Sequence, residues 1–250
     1  MPAGNGGGAA AGSFATLRTD PELTEQRRLI EHDLDRTPDK VLAFVSKMPL
    51  LYGEDVAPAS SYVCPMHPDV TATEPATCPQ CGMKLVLSDA APVSANDAPR
   101  SHDHGDGLEW EDLMPEINRA SDTSNMIWQL IDRETGAENG AIDWAFTMGD
   151  RVKIRLVNEM DSDHPMHHPF HIHGAGRVLV LSRDDMPESN LGWKDTVLLR
   201  AGETVDILLD VSNPGLWMAH CHIAEHTESG MMFSFTVARR PEPTPVAMSR

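Results

Sequence analysis

From Gly107 onward the chain runs in short apolar or β-branched stretches broken by turn residues, which is how an antiparallel sandwich reads. Strands are predicted at 127–131, 152–157, 178–181, 196–199, 205–209, 216–222 and 232–237, with turns at Gly202-Glu203 and Asn213-Pro214-Gly215. That many short strands suit one Greek-key β-sandwich or barrel, and no internal repeat signals a second copy. Ahead of Gly107 the pattern is weaker. Residues 21–39 are charged, with little apolar periodicity, and read as helical or irregular; residues 41–46 form a short strand candidate. A Cys/Met/Pro-rich island spans 62–87, and the Ala, Pro, Asp, Ser and Gly content of 88–107 reads as a tether. The predicted division is therefore an irregular N-terminal segment with one or two strands (1–61), a small metal-binding module (62–87), a linker (88–107), the sandwich domain (108–240) and a tail (241–250).

Length and charge narrow the function. A chain of 250 residues can bury one substantial core plus a small module. Its 38 acidic against 20 basic residues, net charge −18, repel phosphate backbones and anionic lipid, which argues against nucleic acid or a membrane as partner. Residues 1–16 are rich in Gly and Ala but lack the basic and apolar regions of a secretory signal. The 4 cysteines are unevenly placed: Cys64, Cys78 and Cys81 share the island, and Cys221 sits between two histidines. Metal ligation explains that distribution better than disulfides.

The chemistry lies in two segments, His168-Pro169-Phe170-His171-Ile172-His173-Gly174 and His220-Cys221-His222-Ile223-Ala224-Glu225-His226-Thr227-Glu228-Ser229-Gly230-Met231. Side chains alternate across a strand, so His220 and His222 take one face and Cys221 the other. His171 and His173 share a face in the same way, and four imidazoles can converge on one cluster. The opposite face collects His168, Cys221, His226 and Met231: two imidazoles, a thiolate and a weak axial thioether, the donor set of a blue copper centre. A lone histidine or methionine in a strand is usually a packing or surface residue, and Met166, Met218 and Met232 are read that way. His-Cys-His followed by His and then Met, together with His-x-x-His-x-His, is much harder to reach by chance.

Both segments resemble the two C-terminal copper motifs of multicopper oxidases, the laccase-like family. The likeness extends through Leu108-Glu109-Trp110-Glu111-Asp112, Ile131-Asp132-Arg133-Glu134-Thr135-Gly136, Gly192-Trp193-Lys194-Asp195-Thr196-Val197 and Gly202-Glu203-Thr204-Val205-Asp206. The resemblance implies a cupredoxin-like fold and an oxidase. His168, Cys221, His226 and Met231 would hold the mononuclear (type 1) copper, His171 the type 2 copper, and His173, His220 and His222 the type 3 pair. It also implies electron flow from a phenolic, diamine or metal-ion reductant through Cys221 to a cluster that reduces dioxygen, with His220 and His222 flanking that route. An extracytoplasmic setting is a further implication.

Two departures from the family pattern stand out. Some bacterial relatives carry an acidic residue directly after the last histidine of the second motif, where it helps deliver protons; here that position is Thr227, with Glu228 next. The family completes its cluster with two His-x-His pairs from an N-terminal cupredoxin domain, and this sequence offers only His102-Asp103-His104, in the linker. Completion is thus expected from a partner chain bearing N-terminal domains or from a homo-oligomer, with a non-catalytic copper-binding or electron-transfer protein as the alternative.

In the island, Cys64-Pro65-Met66-His67-Pro68 and Cys78-Pro79-Gln80-Cys81-Gly82-Met83 form two knuckle-like turns. They resemble the small heavy-metal-binding domain attached to bacterial copper-handling proteins. Three thiols and an imidazole suit zinc; Met66 and Met83 add softness that favours copper(I). All of these ligands lie within the island, so the module is expected to need nothing from the sandwich.

Overall fold

The computed structural model describes residues 21–49, 61–64, 67–88, 126–189 and 191–240. The predicted linker beyond Ser88, Met66, His102, His104 and the tail beyond Arg240 lie outside these residues. The described residues are mostly β. The principal strands are β1 (Lys40–Lys47), then β2 (Tyr62–Val63), β3 (Thr71–Ala72) and β4 (Val86–Leu87) in the island, followed by β5 (Ile127–Asp132), β6 (Ala145–Thr147), β7 (Arg151–Asn158), β8 (His168–Ile172), β9 (Gly176–Arg183), β10 (Met186–Pro187), β11 (Trp193–Lys194), β12 (Thr196–Leu199), β13 (Thr204–Val211), β14 (Gly215–Cys221) and β15 (Met232–Ala238).

Two sheets face each other. One runs β10-β9-β13-β7-β1-β5, with β11 also on β9; the other runs β12-β8-β14-β15-β6. Between them Phe44, Leu130, Ile154, Leu156, Phe170, Ile207 and Phe233 are almost wholly excluded from water. Burial of each such side chain stabilises the fold by roughly 1.5–3 kcal/mol. The all-β sandwich expected from the strand pattern is the architecture observed. The predicted strands are present, and the structure adds β6, β8, β10 and β11, where His-rich and short stretches gave no clean alternation.

One placement changes the division drawn from the sequence. The strand candidate at 41–46, assigned to the N-terminal segment, is β1, and it lies inside the sandwich. It pairs antiparallel with β5, Phe44 opposite Leu130, and parallel with β7, Leu42 opposite Leu156. The metal-binding module is consequently carried in the connection between two neighbouring strands of one sheet. The helix Pro21–Asp35 covers the outer face of that sheet, where Ile30 packs with Leu179, Leu181, Leu191 and Leu208. Beneath it the buried Lys153 ammonium donates to the carbonyls of Leu34 and Arg36 at 2.8 and 2.9 Å and pairs with Asp206 at 3.2 Å. A buried cation needs that degree of satisfaction to be tolerated. No helix among the described residues is long and apolar enough to cross a membrane.

Candidate metal centres

Register decides which histidines meet. In β8 the side chains alternate, His168, Phe170 and Ile172 buried and Pro169 and His171 half-buried on the outside. Strand β14 pairs with β8 so that His220 stands opposite His171 and Cys221 opposite Phe170. Directly opposed residues point to the same face, so one strand pair sends His171 and His220 outward and His168 and Cys221 inward.

The inner group is compact and dry. Cys221 Sγ lies 3.7 Å from His168 Nδ1 and 3.5 Å from His226 Nδ1, and the two imidazole nitrogens are 3.2 Å apart. Those edges enclose a triangle that an ion with arms of about 2.0–2.3 Å would fill. Its three residues are 0–2% exposed. His226 comes from the short helix Ala224–Glu228, and Met231, fully buried, closes the loop behind it. The Met231 amide donates to the His226 carbonyl at 2.9 Å, and its carbonyl accepts the Cys221 amide at 3.1 Å. Burial drives the His226 imidazole down to about 2 and His168 to about 3, with neighbouring histidines adding to the effect. Burial also pushes the Cys221 thiol up to about 12, against the pull of the Ile223 and His222 amides. Two neutral imidazoles and a desolvated sulfur form a soft trigonal set that suits copper.

The outer group is His171, His173, His220 and His222. His173 Nε2 and His220 Nε2 are 3.0 Å apart, close enough for both to share one ion at arms of about 2 Å. The His171 ring is 4.4, 5.5 and 5.7 Å from those of His173, His220 and His222, centre to centre. Three of these histidines converge through single donor atoms, and exposed His222 joins them by ring proximity, 5.5 Å from His220. Backbone partners fix the rings. His171 Nδ1 donates to the Asp195 carbonyl at 3.0 Å and lies 2.9 Å from the Thr196 hydroxyl. His220 Nδ1 donates to the Cys221 carbonyl at 2.7 Å. Both bonds leave Nε2 free for an ion, the usual way outer partners orient ligating imidazoles. Burial lowers the pKa of His173 and His220, which favours the neutral form a metal needs. Gly174 keeps this edge in place: at φ +41 a Cβ there would come within 2.1 Å of the Trp217 ring.

In the module Cys64, His67, Cys78 and Cys81 converge. Cys64 Sγ is 3.6 Å from Cys81 Sγ and 3.7 Å from His67 Nδ1, and Cys78 Sγ is 3.5 Å from His67 Nδ1. The Cys64 thiol beside it, together with burial, raises the pKa of Cys81. Met83 is buried, and its carbonyl accepts the Cys78 amide at 2.7 Å.

Four residues support these centres without being ligands themselves. Trp128 stacks on His226, Asp195 and Thr196 hold His171, and Thr227 donates its hydroxyl to the carbonyls of Cys221 and Ile223. Asp195 and Thr196 lie in the 192–197 stretch and Thr227 follows His226 in the second motif, so these three carried a sequence signal, whereas Trp128 carried none.

Comparison with known proteins places these centres in context. Residues 113–241 match the profile of the family described as Multicopper oxidase, and residues 61–86 match that of the Heavy metal binding domain. Multicopper oxidase mco of Staphylococcus epidermidis is 37% identical over 92 residues, covering 36% of this chain and 21% of that protein. Its counterpart in Staphylococcus aureus is 30% identical over 142 residues, 51% of this chain and 32% of that one. Among solved structures, McoA multicopper oxidase from Aquifex aeolicus is 40% identical over 38% of this chain and 21% of its own, at a TM-score of 0.33. The chain thus spans between a fifth and a third of the length of these relatives.

Proposed function

Because the chain belongs to the multicopper oxidase family, we propose that it accepts electrons at the buried His168/Cys221/His226 centre and passes them to the outer histidines for dioxygen reduction. Copper, when bound, would be held by His168, Cys221 and His226 with Met231 as a weak further donor, and would supply one-electron redox chemistry at the inner centre and dioxygen reduction to water at the outer one. His171 would hold the type 2 ion and His173, His220 and His222 the type 3 pair. A phenolic, diamine or metal-ion reductant would supply the electrons.

One observation carries this reading: Cys221 points into the inner centre while His220 and His222, its peptide neighbours, reach the outer one. The route from sulfur to outer imidazole therefore runs through the Cys221 side chain, a single peptide bond and the side chain of the neighbouring histidine. The His220 Nδ1–H···O=C bond to Cys221, 2.7 Å, offers a shorter parallel route. Burial of the inner centre keeps water from the thiolate and fixes donor geometry before any ion arrives. Thr227 directs its hydroxyl at the backbone carbonyls of Cys221 and Ile223.

The outer face gathers four histidines among the described residues, half of what the family's cluster uses. We therefore propose that a second histidine-bearing surface completes it, from a partner with the missing motif or from another copy. The same half-set supports a second reading, electron transfer without catalysis. The deciding experiment measures copper per chain, the absorption spectrum and oxygen uptake, with light scattering reporting mass in the assay. A blue monomer without turnover is the expected result. A folded, copper-loaded protein that stays colourless overturns the inner assignment, and a monomer that reduces dioxygen to water overturns the need for a second surface.

A further inference from the structure

We infer that the Cys64/His67/Cys78/Cys81 centre is a closed structural zinc site whose work is to hold the wall of the mononuclear copper site, and not to capture copper for transfer. The inference rests on the reading of His168, Cys221 and His226 given above.

The first observation is the donor geometry. Sulfur–sulfur and sulfur–nitrogen edges of 3.5–3.7 Å are those of a tetrahedron with arms of about 2.3 Å to sulfur and 2.0–2.1 Å to nitrogen. Four protein donors fill such a shell and leave no open position for exchange. The knuckles are closed by backbone bonds: Val70 N–H to His67 O at 2.8 Å, Cys78 N–H to Met83 O at 2.7 Å and Gly82 N–H to Cys78 O at 2.8 Å. Three two-residue strands and a cluster around Cys64, Cys78 and Leu85 are too little core to fold unaided, so bound metal must supply most of the module's order.

The second observation is where the module rests. Gly82 adjoins the ligand Cys81, and a Cβ on it would lie 2.4 Å from the Met160 methyl and 3.8 Å from the Pro165 ring. Lys84 pairs with Asp163 at 2.9 Å and with Asp161 at 3.4 Å. Asp163 accepts the Met48 amide at 2.8 Å and donates its own amide to the Ser46 carbonyl at 3.0 Å. Ser46 is also bonded twice to His164, through its hydroxyl, at 2.8 and 2.9 Å. Module, β1 and the 159–167 loop are thereby tied together immediately before the ligand His168.

The third observation is topological. The module sits between β1 and β5, the two strands whose aromatic side chains face the copper site. Phe44 of β1 lies 5.3 Å from the His168 ring, and Trp128 of β5 stacks on His226 at 3.7 Å. A folded module pins the C-terminal end of β1 and the loop to His168; an emptied one releases both.

The test uses the full chain, copper-loaded, with two variants. Cys81→Ser removes a module ligand, whereas Lys84→Met breaks the docking pair and touches no ligand. Metal content is read by mass spectrometry after growth in both zinc and copper, and release of the blue copper is timed against a chelator. The expected result is zinc in the wild-type module and its loss from Cys81→Ser. Copper release should be about tenfold faster in that variant, the scale on which supporting residues act on a metal site, and intermediate in Lys84→Met. Copper occupying the module in place of zinc overturns the zinc assignment. Blue-copper release within twofold of wild type in a zinc-free, folded Cys81→Ser overturns the clamp. Should Cys81→Ser fail to fold, unchanged release from Lys84→Met overturns it instead. A wild type that never turns blue refutes the copper assignment while leaving the zinc content to be read separately.

Discussion

The indole of Trp128 lies on the imidazole of His226, ring centres 3.7 Å apart and planes inclined by 24°. The same indole meets His168 edge-on at 5.6 Å. One residue from the opposing sheet therefore touches both histidines of the inner centre and covers His226, whose Nε2 is buried with no hydrogen-bond partner. Stacking holds the ring by its faces, where a hydrogen bond would have held it by an edge.

Trp128→Ala should accordingly cost about 3–5 kcal/mol in stability from the cavity it leaves. It should also broaden or shift the blue band as His226 gains rotational freedom. Trp128→Phe should keep most of both. Urea unfolding of the metal-free protein and the visible spectrum of the copper form check this, and an Ala variant with a wild-type spectrum would show that His226 is positioned by other contacts.

Cys221→Ser should abolish the blue band, because the colour of such a centre arises from the copper–thiolate bond. The sandwich should survive, since a buried hydroxyl replaces a buried thiol of similar size. Circular dichroism alongside absorption separates loss of colour from loss of fold.

The metal-free protein should lose stability on acidification. His164, His168 and His226 have folded values near 4, 3 and 2, brought down from 6.5 chiefly by burial. Only the unfolded chain takes up these protons as pH falls below about 6.5, so stability falls from there toward the folded values. Each histidine contributes about 1.4 kcal/mol per pH unit across that window. Cys221 acts at the other end: its folded value near 12 lies above the ordinary 9.0, so stability falls again as pH rises above 9. Melting temperature against pH should show a plateau between these limits, and copper should remove the part of the acid slope due to His168 and His226 by occupying them, leaving that of His164.

His171→Ala and His220→Ala should leave the blue band in place while lowering copper bound beyond the inner site. Their rings point to the outer face, across the strand pair from His168 and Cys221. Copper titration followed by absorption and electron paramagnetic resonance distinguishes the two populations, and loss of the blue signal in either variant would mean the faces are not independent.

Thr227→Val should cost about 1 kcal/mol, the net worth of its hydrogen bonds to the Cys221 and Ile223 carbonyls. The blue band should persist, because the His220 bond to the Cys221 carbonyl remains to hold that peptide. Thermal unfolding and the visible spectrum provide the check.

The division of donors between two faces was legible in the sequence because it depends on local geometry, whereas the meeting of His168 with Cys221 and of His171 with His220 waited on the β8–β14 register. A strand alternates faces every residue, so His-Cys-His must divide its donors between two sides wherever the strand is placed. The helical turn after it likewise fixes how His226 and Met231 return. The compact four-donor knuckles of the island were legible for the same reason. What the sequence left open depends on partners far apart in the chain: that residues 40–47 enter the sheet between β5 and β7, that Trp128 reaches His226 across 97 intervening positions, and that Lys84 finds Asp163. Such contacts have no period to betray them. They are chosen by which register buries the most apolar surface while satisfying every buried polar group, a competition settled only when the two sheets close on each other.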